Sequence, residues 1–162
     1  NNAMNILFIE DERDLLELGV AQLERHNTVY PASNLVDARA IMENPAMLVH
    51  LVVADHRLTD GQGIEFVIEM KATFPDCMYT IVSGCLTDSN VSKLDENEIS
   101  YHHKPLLYGK IAEEFRREHL MKAPYCEAVA EAPCGVEKEI KAPIAELVEA
   151  EVPKRKKWFG LL

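Results

Sequence analysis

The stretch Asn5-Ile6-Leu7-Phe8-Ile9-Glu10-Asp11-Glu12 sets a short apolar run directly against three acids. The apolar part is rich in residues that fit a pleated, buried surface, so it reads as a strand, and the acids stand at its carboxyl end. Behind it, Asp14 to Arg25 places Leu15, Leu18 and Gln22 or Leu23 on one turning face with charges elsewhere, the spacing of an amphipathic helix. Thr28 to Ala32 is a second short strand. Ser33 or Asn34 can cap a helix reaching Asn44, with Ala38, Ile41 and Met42 inward and Pro45 as its stop.

The alternation continues along the chain. Leu48 to Ala54 is an apolar run broken only by His50, the pattern of a central strand covered on both faces, and it ends at Asp55. Gly61 and Gly63 mark a loop before a helix from Ile64 to Phe74, with Phe66, Val67 and Met70 inward and Pro75 ending it. Met78 to Val82 is a strand leading to Ser83-Gly84. Thr87 to Glu98 reads as a helix held only by Val91 and Leu94. Ile99 to His103 is a fifth strand ending at Lys104-Pro105. The last helix runs from Leu106 to Met121 and faces inward with Leu107, Ile111, Phe115 and Leu120.

Five strands alternating with five helices predict an α/β fold, an open parallel sheet covered on both faces, because parallel neighbours need a crossover connection. Ligands of such sheets bind outside the carboxyl ends of the strands. Glu10, Asp11, Asp55, Ser83 and Lys104 all fall at those ends. Gathered carboxylates repel one another and invite a hard divalent cation with oxygen ligands, most simply Mg²⁺. A lysine and a hydroxyl beside them complete a place for a phosphoryl group, with the Asp55 carboxylate as nucleophile.

Taken together, Ile9-Glu10-Asp11-Glu12, Val53-Ala54-Asp55, Leu58-Thr59-Asp60-Gly61-Gln62-Gly63, Val82-Ser83-Gly84 and Tyr101-His102-His103-Lys104-Pro105 resemble the response-regulator receiver domains of bacterial two-component signalling. The resemblance spans Asn5 to about Lys122. It implies a flavodoxin-like, doubly wound sheet of order 2-1-3-4-5. It also implies that Asp55 accepts phosphate from a histidine kinase or phosphotransfer protein, and that Asp11, Asp55 and the Arg57 backbone carbonyl bind Mg²⁺, with Glu10 acting mainly through water. Lys104 is then the partner of the phosphoryl oxygens, and Ser83 and Tyr101 are the switch pair. In this chain Glu10 stands where aspartate is more frequent, Ser83 where threonine is common, and His103 where a small or aliphatic residue usually precedes the lysine.

The formal charge is −10, and up to residue 122 the chain carries 20 acidic against 11 basic side chains. Such a field disfavours direct contact with nucleic acid. Cys77, Cys85, Cys126 and Cys134 lack the paired spacing of a zinc site or a disulfide scaffold and read as reduced thiols. With neither a secretory signal nor a membrane span indicated, a cytoplasmic protein is expected. Residues 1–3 read as an expression remnant, residues 4–122 as the receiver-like domain, and residues 123–153 as an Ala/Glu/Pro-rich linker with a short helix from Pro143. Residues 154–162 join four bases to Trp158, Phe159, Leu161 and Leu162, the composition of a docking segment for a protein groove or a membrane surface.

The expected function is a phosphorylation-dependent module acting through contacts with a downstream protein, without a DNA-binding output domain. Any catalysis is limited to its own phosphorylation and dephosphorylation. The competing reading is an adaptor that docks through its tail and works without phosphorylation.

Overall fold

The computed structural model describes residues 3–104 and 107–130, with side chains through residue 122. In chain order the elements are β1 (Asn5–Ile9), α1 (Arg13–Leu23), β2 (Thr28–Ala32), α2 (Leu35–Glu43), β3 (Leu51–Asp55), β4 (Arg57–Leu58) and β5 (Gly61–Gln62). They continue with α3 (Gly63–Thr73), β6 (Met78–Ser83), α4 (Asp88–Glu96), β7 (Ser100–His103) and α5 (Tyr108–Ala130). Five strands form one parallel sheet of order β2-β1-β3-β6-β7, while β4 and β5 make a small antiparallel hairpin apart from it. With the hairpin set aside, this is the expected 2-1-3-4-5 order.

Strand alternation divides the core in two. Leu7, Ile9, Val52, Ala54 and Ile81 point to one face, where they meet Ala38 and Met42 of α2, Ile64, Phe66, Val67 and Met70 of α3, and Leu94 of α4. Ile6, Phe8, Leu51, Val53 and Val82 point to the other and meet Leu23 of α1 with Tyr108, Ile111 and Ala112 of α5. Neighbouring residues of one strand serve opposite cores because successive side chains leave opposite sides of the pleat. Helix α1 lies so close to β1 that a Cβ on Gly19 would stand 2.3 Å from the Phe8 ring.

Local chemistry sets the helix ends. Asn34 caps α2 by accepting the Asp37 amide at 2.8 Å, and Thr87 opens α4 with a reciprocal capping box to Asn90. Three sequence expectations are corrected. The third sheet strand begins at Leu51, not Leu48. The Asn5 side chain takes the Leu48 carbonyl, the His50 ring accepts the Asn5 amide in place of a ladder carbonyl, and Leu48 is left 66% exposed. On the last helix Leu107 is 56% exposed and precedes the first turn, so Tyr108 and Ala112, with Ile111, make the buried stripe. That helix also continues past Met121 to Ala130. The expected short helix from Pro143 and the segment 154–162 lie outside the described residues.

Candidate functional site

Strand β1 delivers Glu10 and Asp11, its neighbour β3 delivers Asp55, and the end of β7 delivers Lys104, all at the carboxyl edge of the sheet. Carboxylate oxygens of Glu10, Asp11 and Asp55 lie within 4.8 Å of one another. The Lys104 ammonium reaches into them, donating to Glu10 Oε2 at 2.5 Å and to Asp55 Oδ2 at 3.2 Å. Glu10 is only 2% exposed, and its other oxygen, Oε1, accepts the Glu12 amide at 3.1 Å. Burial pushes the Glu10 carboxyl up, although the Lys104 hydrogen bond works against it. For Lys104 burial pulls downward, but Glu10 and Asp55 outweigh it, so its proton is held more firmly than on a free lysine.

A pocket of three carboxylates with one ammonium is short of positive charge. Its donors are all hard oxygens, the set that suits Mg²⁺, which is commonly held by one or two carboxylates and several waters. The residues therefore fit a hard divalent cation beside a nucleophilic carboxylate.

The backbone behind Asp55 is tightly drawn. The Gly63 amide donates to the His56 carbonyl at 2.7 Å, and a Cβ on Gly63 would stand 1.9 Å from the Asp55 carbonyl oxygen, so α3 can start this close only with glycine there. Arg57, whose carbonyl was expected to face a cation, sits in the hairpin strand β4 two residues after Asp55. His56 is buried, burial pushes its imidazole down, and its Nδ1 has no hydrogen-bond partner among the described residues.

Among the described residues, neither Ser83 nor Tyr101 hydrogen-bonds the carboxylates, although Ser83 directly follows Val82, which pairs with Asp55. Ser83 ends β6 and is buried, and its hydroxyl is turned toward the Cys85 carbonyl at 3.2 Å. Tyr101 is half-buried on the edge strand β7, packed on the core beneath α3 and α4, with its ring 6.0 Å from that of His103. Trp158, Phe159, Leu161 and Leu162 lie outside the described residues.

Sequence reasoning missed two features. The Asp60 carboxylate, at the hairpin tip, accepts the Leu35 amide at 2.9 and 3.0 Å and the Val36 amide at 3.1 Å. His102 spans two elements, with Nδ1 3.1 Å from the buried Thr80 hydroxyl and Nε2 3.0 Å from Glu114 Oε2 on α5. An Asp-Gly pair inside a loop was the visible signal for the first. The second had none, since a histidine in a strand does not announce which helix it will meet.

No protein-family model matches the chain. Among curated proteins it is similar to the sensor kinase CckA of Brucella abortus (strain 2308), with 32% identity over 114 residues, 69% of this chain, while spanning 12% of that protein's length. Among solved structures it is similar to a CheY-like response regulator receiver domain protein of Methanospirillum hungatei JF-1, with a TM-score of 0.68 and 20% identity over 76% of this chain and 98% of that one. A receiver domain protein of Clostridium thermocellum gives a TM-score of 0.64 and 21% identity over 76% of this chain and 98% of that one. The BeF3-activated receiver domain of DrrB, a Thermotoga maritima protein, gives 0.62 and 22% over 74% and 98%. The chain has the fold of the CheY-like response-regulator receiver domains.

Proposed function

We propose that this chain works as a receiver, taking a phosphoryl group onto the Asp55 carboxylate from a phosphohistidine of a kinase or phosphotransfer protein and changing its protein contacts as a result. The observation that carries the reading is the single Lys104 ammonium shared between Asp55 and the buried Glu10, with Asp11 completing the cluster. In the transfer an Asp55 carboxylate oxygen forms the new bond to phosphorus, the phosphorus–nitrogen bond of the donor breaks, and the departing imidazole keeps the electron pair and takes a proton. Lys104 neutralises charge on the phosphoryl oxygens where it already stands. Asp11, Asp55 and the Arg57 carbonyl would hold Mg²⁺, with Glu10 acting mainly through water, and a bound ion would supply charge neutralisation for the transferring phosphoryl group.

Phosphorylation adds about −1.5 to −2 charges to a pocket already short of cations. Ser83 then turns from the Cys85 carbonyl toward the new oxygens and Tyr101 moves inward, and the altered surface is the face of α4, β7 and α5. Residues 154–162 act separately as a docking element, either for a protein groove or for an anionic membrane surface, where each base adds about 1 kcal/mol. A similar curated protein is a sensor kinase, and this supports a partner of the phosphorelay class.

The test is intact-mass measurement after incubation with Mg²⁺ and a small phosphodonor such as acetyl phosphate. The unaltered chain should gain one phosphoryl group and Asp55→Asn should gain none. Full labelling of Asp55→Asn would remove Asp55 as the acceptor. A chain that never labels, yet still captures its partner, would favour the phosphorylation-independent adaptor.

A further inference from the structure

Helix α2 begins with an unusual division of labour. Of its first three amides, Asp37 is capped locally by Asn34, but Leu35 and Val36 are both taken by Asp60, which lies 25 and 24 residues further along the chain. Helix starts are usually satisfied by the residue just before them. Here a carboxylate from the β4–β5 hairpin crosses over to the positive end of another helix, where its charge is favoured and the Leu35 amide above all holds its carboxyl below the usual range. Apolar contact reinforces the junction. Leu35 and Leu58 both pack on the core beside it, and a Cβ on Gly61 would stand 2.9 Å from Leu35 Cδ1.

The hairpin carrying Asp60 is the segment that leaves Asp55. Its near end is fixed by the bond from the Gly63 amide to the His56 carbonyl and by the close passage of Gly63 over the Asp55 carbonyl. Between these two fixings lies Arg57. A loop of seven residues, His56 to Gln62, is thus tied at its base to the phosphoacceptor strand and at its tip to α2. Without the Asp60 bonds at the tip, the short β4–β5 pairing, the bond at the base and the packing of Leu58 would be left to hold it.

We infer that Asp60 is a positioning residue for the acidic pocket: by clamping the β4–β5 hairpin to the start of α2 it fixes the main chain that follows Asp55, and with it the cation site. The metal part of this inference rests on the receiver reading, while the clamp itself does not. Three variants of the full chain separate the roles. Asp60→Ala removes the clamp. Asp60→Asn keeps an oxygen able to accept one amide and guards against a variant that fails to fold. Asn34→Ala weakens the start of α2 from its own side and leaves the hairpin untouched.

Amide hydrogen exchange should speed up in residues 56–63 for Asp60→Ala, partly so for Asp60→Asn, and only within α2 for Asn34→Ala. Calorimetric titration with Mg²⁺ alone should show binding weakened about tenfold by Asp60→Ala, the low end of what losing an outer partner does to a metal site. Binding should recover in part in Asp60→Asn and be unchanged in Asn34→Ala, although Asn34→Ala lowers the thermal midpoint. Unchanged exchange in residues 56–63 would overturn the clamp. Unchanged Mg²⁺ affinity in Asp60→Ala, or equal loss in Asn34→Ala, would overturn the positioning role. If the unaltered chain binds no Mg²⁺, the positioning role falls with the receiver reading of the pocket, and the exchange comparison still decides the clamp.

Discussion

Helices α3 and α4 cover the same face of the sheet and follow strands of similar burial, yet they are held very differently. Helix α3 buries Gly63, Ile64, Phe66, Val67 and Met70, whereas α4 buries Leu94 alone. Strand β3, before α3, is buried through Ala54, while β7, beyond α4, is exposed at both ends. Besides Leu94, α4 has the Thr87–Asn90 capping box and an ion pair from Lys93 to Glu65 on α3, both exposed to water. Exposed ion pairs contribute little, so α4 is held mainly by one leucine, its cap and the Lys71 ammonium of α3 donating to the Asn97 and Glu98 carbonyls at its end. The part that carries Asp55 is closely packed, and α4 with the edge strand β7, which carries Tyr101, is held by less buried surface. An element able to change arrangement is drawn from the weakly held part of a fold, and here that part adjoins the pocket through Ser83.

The largest expected effect falls on the closely packed part. Met70→Ala should cost about 2–5 kcal/mol in denaturant unfolding, the range for removing a buried methionine from a packed core. A loss well below that would show α3 to be no better held than α4. Next, Thr87→Ala should cost about 1 kcal/mol by removing the α4 cap. Exchange at the amides of α4 should rise while that of α3 stays put, and equal rises in both would erase the contrast.

A smaller effect is expected from acid at the start of β3. His50 accepts the Asn5 amide through Nδ1 at 2.8 Å, and burial first, then the neighbouring His119, hold its imidazole below the usual value of 6.5. The folded state thus prefers neutral His50. The unfolded chain binds the proton more readily, so stability is full above about pH 6.5 and falls as pH drops from there through the lowered folded value. Thermal midpoints measured downward from neutral pH should decline, and less steeply in His50→Gln. The same slope in both would free His50 of that role.

Much of this contrast was legible in the amino-acid order. Asn5–Ile9 and Thr28–Ala32 are strands to the residue, because each is a short apolar run cut off by polar groups on both sides. The poverty of α4 was visible as two apolar anchors in a polar stretch, and only one of them is fully buried. The acidic pocket was legible because parallel strands put their carboxyl ends on one edge, whatever the details of packing. What escaped was set by partners distant in sequence. Leu48 extends an apolar run but is left outside the strand because Asn5 claims its carbonyl, and Leu107 matches the helical period but sits before the first turn. Asp60 reads as an ordinary turn residue until α2 is placed beside it. Pattern reports the period of an element, and hydrogen bonds across 25 or more positions decide where it starts.

The central claim is that a phosphoryl group arriving at Asp55 is answered by the weakly held side while the closely packed side stays fixed. Its most direct test is amide hydrogen exchange of the full chain with and without Mg²⁺ and beryllofluoride, a phosphoryl stand-in, with Asp55→Asn alongside. The account predicts altered exchange in Asp88–Glu96 and Ser100–His103, none in Asn5–Ile9 or in residues 51–54, and no response in Asp55→Asn. A change confined to β1 and β3, a uniform change across α3 and α4, or the same response in Asp55→Asn would contradict it.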